Sequence, residues 1–250
     1  FGLKHPVAIR AFLREAAAVS GKPPRFVTLM GDASWDGKFR MGTSSMEDYV
    51  PAWGNPAADN YYAALSDTLN NYAPVLSLGR IPAKTLDEAQ AVVDKVIEYE
   101  ALPPSARDNR FLLSVGGKYQ SEQDWYLKPF INGVIRDWLT PFCLEPRLIV
   151  KSNPTLPVTY DDLDTLVSEA NRGVNWFYFV GHGGSRIIDV GVERPDIFSL
   201  KGKYLFFVTM SCNTAHFAEP YETGLNERFI LERDNGAIAT YGTSGLGDLG

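Results

Sequence analysis

Residues 174–184 read VNWFYFVGHGG and residues 203–217 read KYLFFVTMSCNTAHF. Each contains a short run of aromatic and aliphatic residues, 176–180 and 204–208, apolar at successive positions, which is the pattern of a strand buried on both faces. Each also stops on one reactive side chain: His182 between glycines in the first, Cys212 in the second. Strands and helical patterns alternate around them. RFLLSV (110–115) precedes a helix expected over 123–139, and RLIV (147–150) precedes one over 161–171 that stops at Gly173. A further helix near 223–233 leads into the strand GAIATY (236–241). Apolar strands alternating with helices predict an α/β fold with a mostly parallel sheet covered on both faces.

Toward the N-terminus, residues 6–18 set Ile9, Phe12, Leu13, Ala16 and Ala17 on one helical stripe. Pro6 opens it in the first turn, where a missing N–H costs nothing. RFVTLM (25–30) and PVLSLG (74–79) read as strands separated by a polar, Gly/Pro-rich loop. Thr85 and Glu88 form a capping box ahead of a helix with Ala89, Val92, Val93, Val96 and Ile97 on one face. Pro103-Pro104 ends that unit. The chain therefore divides into two side-by-side subdomains, an N-terminal α/β part (1–103) and a second part (104–250). It begins FGLKHP and ends GTSGLGDLG in mid-pattern, so both parts read as truncated at their outer ends.

Composition narrows the function. The net charge is −6 with no Lys/Arg run, which sets aside nucleic acid and anionic membrane as main partners. No apolar run approaches the ~20 residues needed to cross a bilayer. Two cysteines, Cys143 and Cys212, are too few for a disulfide framework or a Cys-based zinc site. A bridge between them would consume the residue on which the second motif ends. Three histidines without HExxH set aside a closed zinc site, and His216 reads as loop surface. In GTSGLG (242–247), Leu246 stands where a serine-nucleophile turn needs glycine. Arg186 likewise stands where a dinucleotide fingerprint after Gly181 needs its last glycine. In DASWDG, Asp32, Ser34, Asp36 and Gly37 have the spacing of the first half of a calcium loop, with Thr43 where the bidentate acid belongs. A structural calcium is one reading of that stretch and a turn held by Asp side chains is the other. The chemistry requires no other cofactor.

Ligands of open parallel sheets bind at the carboxyl ends of strands, and consecutive strands are usually neighbours. His182 and Cys212 are then expected to stand together above the sheet. A thiol is mostly protonated at neutral pH, and an adjacent imidazole can take its proton to make the thiolate nucleophile. Gly181 lets the chain turn tightly, and the Gly183 and Cys212 N–H groups could hold the oxyanion of a tetrahedral intermediate. Singly, such a cysteine is a small core residue and such a histidine a loop residue. On successive strand ends the pair meets the requirements of acyl transfer.

Five segments, LMGDASWDGK (29–38), SLGRIPAKTLDEAQAVVDKVIEYE (77–100), FVGHGGS (179–185), TMSCNTAHF (209–217) and GAIATYGTSG (236–245), resemble the gingipain family of caspase-like cysteine peptidases, in that family's order. The GDASWD and GRIP segments are most similar to type IX secretion sortases of the PorU type. The resemblance implies a caspase-hemoglobinase-like fold and a cysteine endopeptidase with Cys212 as nucleophile and His182 as base. It implies Gly183 and Cys212 as oxyanion donors and a polypeptide as substrate. It further implies an extracellular or bacterial cell-surface location, secretion-system components as partners, and removal of C-terminal signals with an amine able to replace water. Two positions depart from the family. Its acid after the first strand of the second part has no counterpart at Val115 or Gly116, leaving Glu122, Asp124 or a backbone carbonyl to orient His182. Asp124 is also the only counterpart of the acid that selects Arg in some members, so Arg specificity is not expected. Ala215 stands where glycine is frequent. The contrasting reading is a degenerate peptidase fold used as a binding or secretion scaffold.

Overall fold

A computed structural model describes residues 4–38, 40, 48–66, 73–103, 110–142 and 144–247; Thr43 and Cys143 lie outside them. Packing divides the chain into two compact units, Phe1–Ala89 with Phe217–Glu222, and Gln90–His216 with Thr223–Gly250. The division falls inside the helix Leu86–Ala101 (α3), between Ala89 and Gln90 and ahead of Pro103-Pro104, and the remainder of α3 belongs to the second unit. Its Lys95 ammonium is buried and donates to the carbonyls of Ile230, Asn235 and Ala237.

In the first unit, helices α1 (Pro6–Ser20) and α2 (Asn60–Ala63) accompany two parallel strands, β1 (Phe26–Met30) and β2 (Ser77–Ile81). Leu13, Leu29 and Tyr62 form its core, whereas Phe12 of the expected stripe is exposed. Strand β2 begins three residues later than its apolar pattern, since Phe26–Met30 pair with Ser77–Ile81 and Val75 is left exposed. Arg80 on β2 holds Asp59 in a bidentate pair and donates to the carbonyls of Gly31 and Val50. Thr85 and Glu88 cap α3 reciprocally as expected. The buried face of α3 is Ala91, Val92 and Lys95, offset from the apolar stripe, and Ile97 is exposed. The buried cation, satisfied by three carbonyls, decides that rotation.

The second unit is a five-stranded all-parallel sheet in the order β4-β3-β5-β6-β7, formed by Glu145–Val150, Arg110–Val115, Trp176–Val180, Leu205–Met210 and Ala237–Gly242. Alternate residues feed two cores. Leu112, Phe177, Phe179, Leu205 and Phe207 enter one, with Phe207 and Phe229 centroids 4.4 Å apart. Phe111, Leu113, Val115 and Val180 enter the other. Both faces are thus covered, and each fully buried aromatic contributes roughly 2–3 kcal/mol of transfer free energy. Helix α4 (Gln120–Pro129) runs into a wider π-type helix over Phe130–Leu139. Helices α5 (Leu163–Asn171) and α6 (Leu225–Leu231) complete the unit.

Strand order decides where a site can form. From β3 the chain crosses to β4 on one side, and from β5 it crosses to β6 on the other. The connections diverge at the β3/β5 boundary and leave a crevice at the carboxyl ends there, the topological switch point of this strand order.

Candidate active site

Val180 pairs with Met210 in the parallel β5–β6 register, so His182 and Cys212 each lie two residues beyond a matched pair on neighbouring strands. Strands in a sheet are about 4.8 Å apart, so the two loops start side by side. They also touch. A Cβ on Gly183 would stand 2.5 Å from the Oγ of Ser211, the residue before Cys212, so any side chain there would have to push that hydroxyl aside.

Beyond β5 the chain makes a small hairpin. The Gly184 N–H donates to the Ile187 carbonyl and the Asp189 N–H to the His182 carbonyl, both at 2.9 Å. These bonds flank the Gly183–Ile188 pair. Residues in such a non-hydrogen-bonded pair turn their own N–H and C=O outward. The Gly183 amide therefore faces away from Ile188.

Glu122 meets His182. Its Oε1 lies 2.9 Å from His182 Nε2 and accepts a further bond from the Tyr126 hydroxyl at 3.1 Å. Its Oε2 accepts from the Lys118 N–H. Glu122 and Tyr126 are four residues apart, hence on one face of α4, and Glu122 occupies its first turn, where a negative charge is favoured. Burial pushes the Glu122 carboxyl up, but the Lys118 N–H, His182 and Tyr126 together hold it below the usual carboxylate range. An ionised carboxylate only accepts, so the neutral form of the ring has its proton on Nε2 and its lone pair on Nδ1. Burial raises the Tyr126 hydroxyl, and the charges of Glu122, Asp189 and Cys212 raise it further. Asp124, the other acid in that stretch, is exposed and accepts from the Gln120 amide. No bond joins it to His182 among the described residues.

The turn that carries Cys212 is fastened on several sides. The Thr209 and Thr214 hydroxyls bond at 2.7 Å, and the Asn226 N–H donates to the Thr214 carbonyl. Asn213 takes a left-handed φ of 57°, uncommon outside glycine. Its N–H donates to the Gly245 carbonyl at 2.7 Å, and the Ala215 N–H donates to the Thr243 carbonyl at 3.0 Å. The Cys212 thiol is half-buried, 3.8 Å from the Gly247 carbonyl. His216, expected on the surface, is half-buried at the end of this turn.

Behind the histidine lies a buried ion pair that the sequence reading did not single out. Lys151, just after β4, and Asp189, in the hairpin after β5, are 3.2 Å apart, and both side chains are at least 97% buried. Asp189 Oδ2 also accepts from the Gly117 N–H. Burial pushes the Asp189 carboxyl up, while Gly117, Lys151 and His182 pull it down. A signal existed: an aspartate inside the apolar run IIDVGV (187–192) needs a buried partner. The pair borders a cavity of about 390 Å³ that also touches His182, with Lys118, Leu156 and Pro157 in its walls.

In the first unit, most of the calcium-like stretch has partners, although Asp32 Oδ1 is buried without a hydrogen bond among the described residues. Lys84 Nζ lies 3.6 Å from Asp32 Oδ2, the Ser34 hydroxyl accepts from the Asp36 N–H, and Asp36 accepts from the Arg40 N–H. Burial raises the Asp32 carboxyl to about 6 against the pull of Lys84. Among the described residues no group of three His, Cys, Asp or Glu is arranged around a metal position. No helix of the described residues is long and apolar enough to cross a membrane.

The sequence model of peptidase family C25 matches residues 1–248. Three solved structures share the fold. The Arg-specific cysteine proteinase gingipain R (RgpB) superposes with a TM-score of 0.74 at 16% identity, over 97% of this chain and 54% of its own. The complex of the Porphyromonas gingivalis RgpB pro- and mature domains gives 0.72 at 16% identity, over 97% and 55%. A further protease gives 0.70 at 20% identity, over 98% and 51%. The chain thus spans about half the length of these proteins. No curated protein matches it.

Proposed function

The chain belongs to peptidase family C25, and from that premise we propose that it is the catalytic part of a cysteine endopeptidase working through Cys212 and His182. The observation that carries this reading is the Glu122 carboxylate 2.9 Å from His182 Nε2. That contact assigns the base to Nδ1, on a loop in touch with the Cys212 loop. His182 Nδ1 takes the proton of the Cys212 thiol, and the thiolate attacks the scissile carbonyl carbon. The Gly183 and Cys212 N–H groups stabilise the oxyanion. The imidazolium then protonates the leaving amine as the C–N bond breaks, giving a thioester. Water attacks next, its proton passing to His182, and the acid product leaves as the thiolate is restored.

The similarity of GDASWD and GRIP to type IX secretion sortases supports a finer reading. In it the protein acts at the bacterial surface or outside the cell, together with secretion components, on the C-terminal signals of secreted proteins. An acceptor amine can then replace water in the second half-reaction. A structural calcium on Asp32, Ser34 and Asp36 would compete with Lys84 for the Asp32 carboxylate, and calorimetric titration with calcium measures whether it binds. The scaffold alternative is disfavoured by the oriented imidazole, which a purely structural descendant has no need to keep.

The test is limited alkylation by iodoacetamide across pH 5–9, a window chosen to bracket imidazole titration, with the adduct located by mass spectrometry. Selective modification of Cys212 that collapses in His182→Ala is expected. Labelling of Cys212 no faster than that of Cys143, and indifferent to loss of His182, would instead mean a scaffold.

A further inference from the structure

The carboxylate of Asp189 has no part in the reaction above, yet it borders the cavity that His182 shares. The cavity lies on the β3–β4 side of His182, since Lys118 follows β3 and Lys151 follows β4, whereas Cys212 follows β6 on the other side. Its volume, about 390 Å³, is at the lower end of small-ligand sites.

Its charges are already matched. An ammonium has three N–H donors, and those of Lys151 have three acceptors: the Leu156 carbonyl at 2.6 Å, the Pro157 carbonyl at 3.4 Å and Asp189 Oδ2 at 3.2 Å. No donor of Lys151 is left for an entering carboxylate. Asp189 Oδ1 has no partner among the described residues. A cation entering the cavity would have to share a carboxylate that Lys151 already neutralises, and would lose its own hydration in doing so. An anion would meet Asp189 without a buried donor to offset the repulsion. Lys118, the other cation, is exposed and stands over the Tyr119 ring, where solvent screens it. Leu156 and Pro157 supply apolar wall.

We propose that this cavity is a subsite for an uncharged side chain of the polypeptide substrate, and that Lys151 determines this specificity by neutralising Asp189. The inference rests on the peptidase reading for its substrate class, but its test needs no turnover. Binding of butyramide, n-butylguanidinium and butyrate is measured by thermal shift and by line broadening in NMR, on the whole protein. The wild type is expected to bind butyramide best of the three. In Lys151→Met the freed carboxylate should raise n-butylguanidinium affinity about tenfold, the size of a single charge contact. Because that variant buries a lone charge and can unfold, Lys151→Met/Asp189→Asn serves as a second probe. It removes both charges and should bind the three compounds in the wild-type order. Wild-type protein that binds n-butylguanidinium or butyrate more tightly than butyramide would overturn the proposal. So would a folded Lys151→Met variant with unchanged preference. Alkylation of Cys212, run in parallel, reports on the peptidase reading separately, so either idea can fail alone.

Discussion

Replacing Gly116 with alanine adds one carbon, and the structure assigns that carbon an occupied position. Its Cβ would stand 2.0 Å from Asp189 Oδ1, 2.7 Å from Cγ and 2.9 Å from Oδ2. Ordinary contact begins at 3.4 Å, so the carboxylate must retreat by about 1.4 Å, the difference between 3.4 and 2.0 Å. Its bonds to the Gly117 N–H (3.0 Å) and Lys151 Nζ (3.2 Å) cannot stretch that far and survive. Backbone strain is not involved, because Gly116 does not have a positive φ. Overpacking alone costs about 1–3 kcal/mol, and breaking a buried ion pair about 3–5 kcal/mol. A total on the order of 4–8 kcal/mol is expected, or roughly 8–32 °C in the melting temperature of a domain this size. Denaturant titration of Gly116→Ala, Asp189→Ala and the double variant measures it. With the carboxylate gone, the same alanine should cost less than about 1 kcal/mol, giving a coupling energy of several kcal/mol. A Gly116→Ala protein within 1 kcal/mol of wild type (roughly the spread of ordinary surface changes), or equal costs in both backgrounds, would refute the steric argument.

Two further outcomes follow from the electrostatics. Glu122→Gln should slow Cys212 alkylation near neutral pH by about 10²-fold, the lower end of a general base's contribution, since the amide no longer fixes the tautomer of His182. The Glu122 carboxyl sits below its ordinary range, so the stability it contributes is present above that range and is lost only as pH falls through the depressed value. Acid titration of wild type against Glu122→Gln reads this. Asp32 has the opposite sign: its folded value of about 6 against 3.8 favours the protonated form. Its charge therefore costs stability progressively between those pH values and fully above them. At pH 8 Asp32→Asn should be the more stable protein, by on the order of 2–3 kcal/mol. Below pH 4 the gain should vanish, as paired urea titrations would show.

The parts of this molecule legible in sequence are those set by local pattern. Continuous apolar runs gave the strands of the sheet within two residues of their observed bounds, because burial on both faces leaves no polar position to confuse the reading. His182 and Cys212 stood out because each closes such a run. What escaped notice depends on partners distant in the chain. Lys95 turns α3 toward carbonyls more than 130 residues away, which no helical stripe encodes. Lys151 and Asp189 meet across 38 residues. Glu122 and Asp124 were equal candidates in sequence, and only the start of α4 after Gly117 decides which carboxylate turns to the histidine. Tyr126 becomes visible as a partner once Glu122 is chosen.

The turn bearing Cys212 owes its shape to Thr243 and Gly245, which accept the Ala215 and Asn213 N–H groups. Those acceptors lie beyond β7, later in the chain than every other strand of the sheet. A chain leaving the ribosome has exposed its cysteine, its histidine and the acid of α4 well before the carbonyls that shape the nucleophile turn are synthesised. Stopped short of Thr243, it would hold Glu122, His182 and Cys212 and still lack the two carbonyls that hold the Cys212 turn. On the peptidase reading, the turn that presents the thiol is therefore the last part of the site that synthesis can complete.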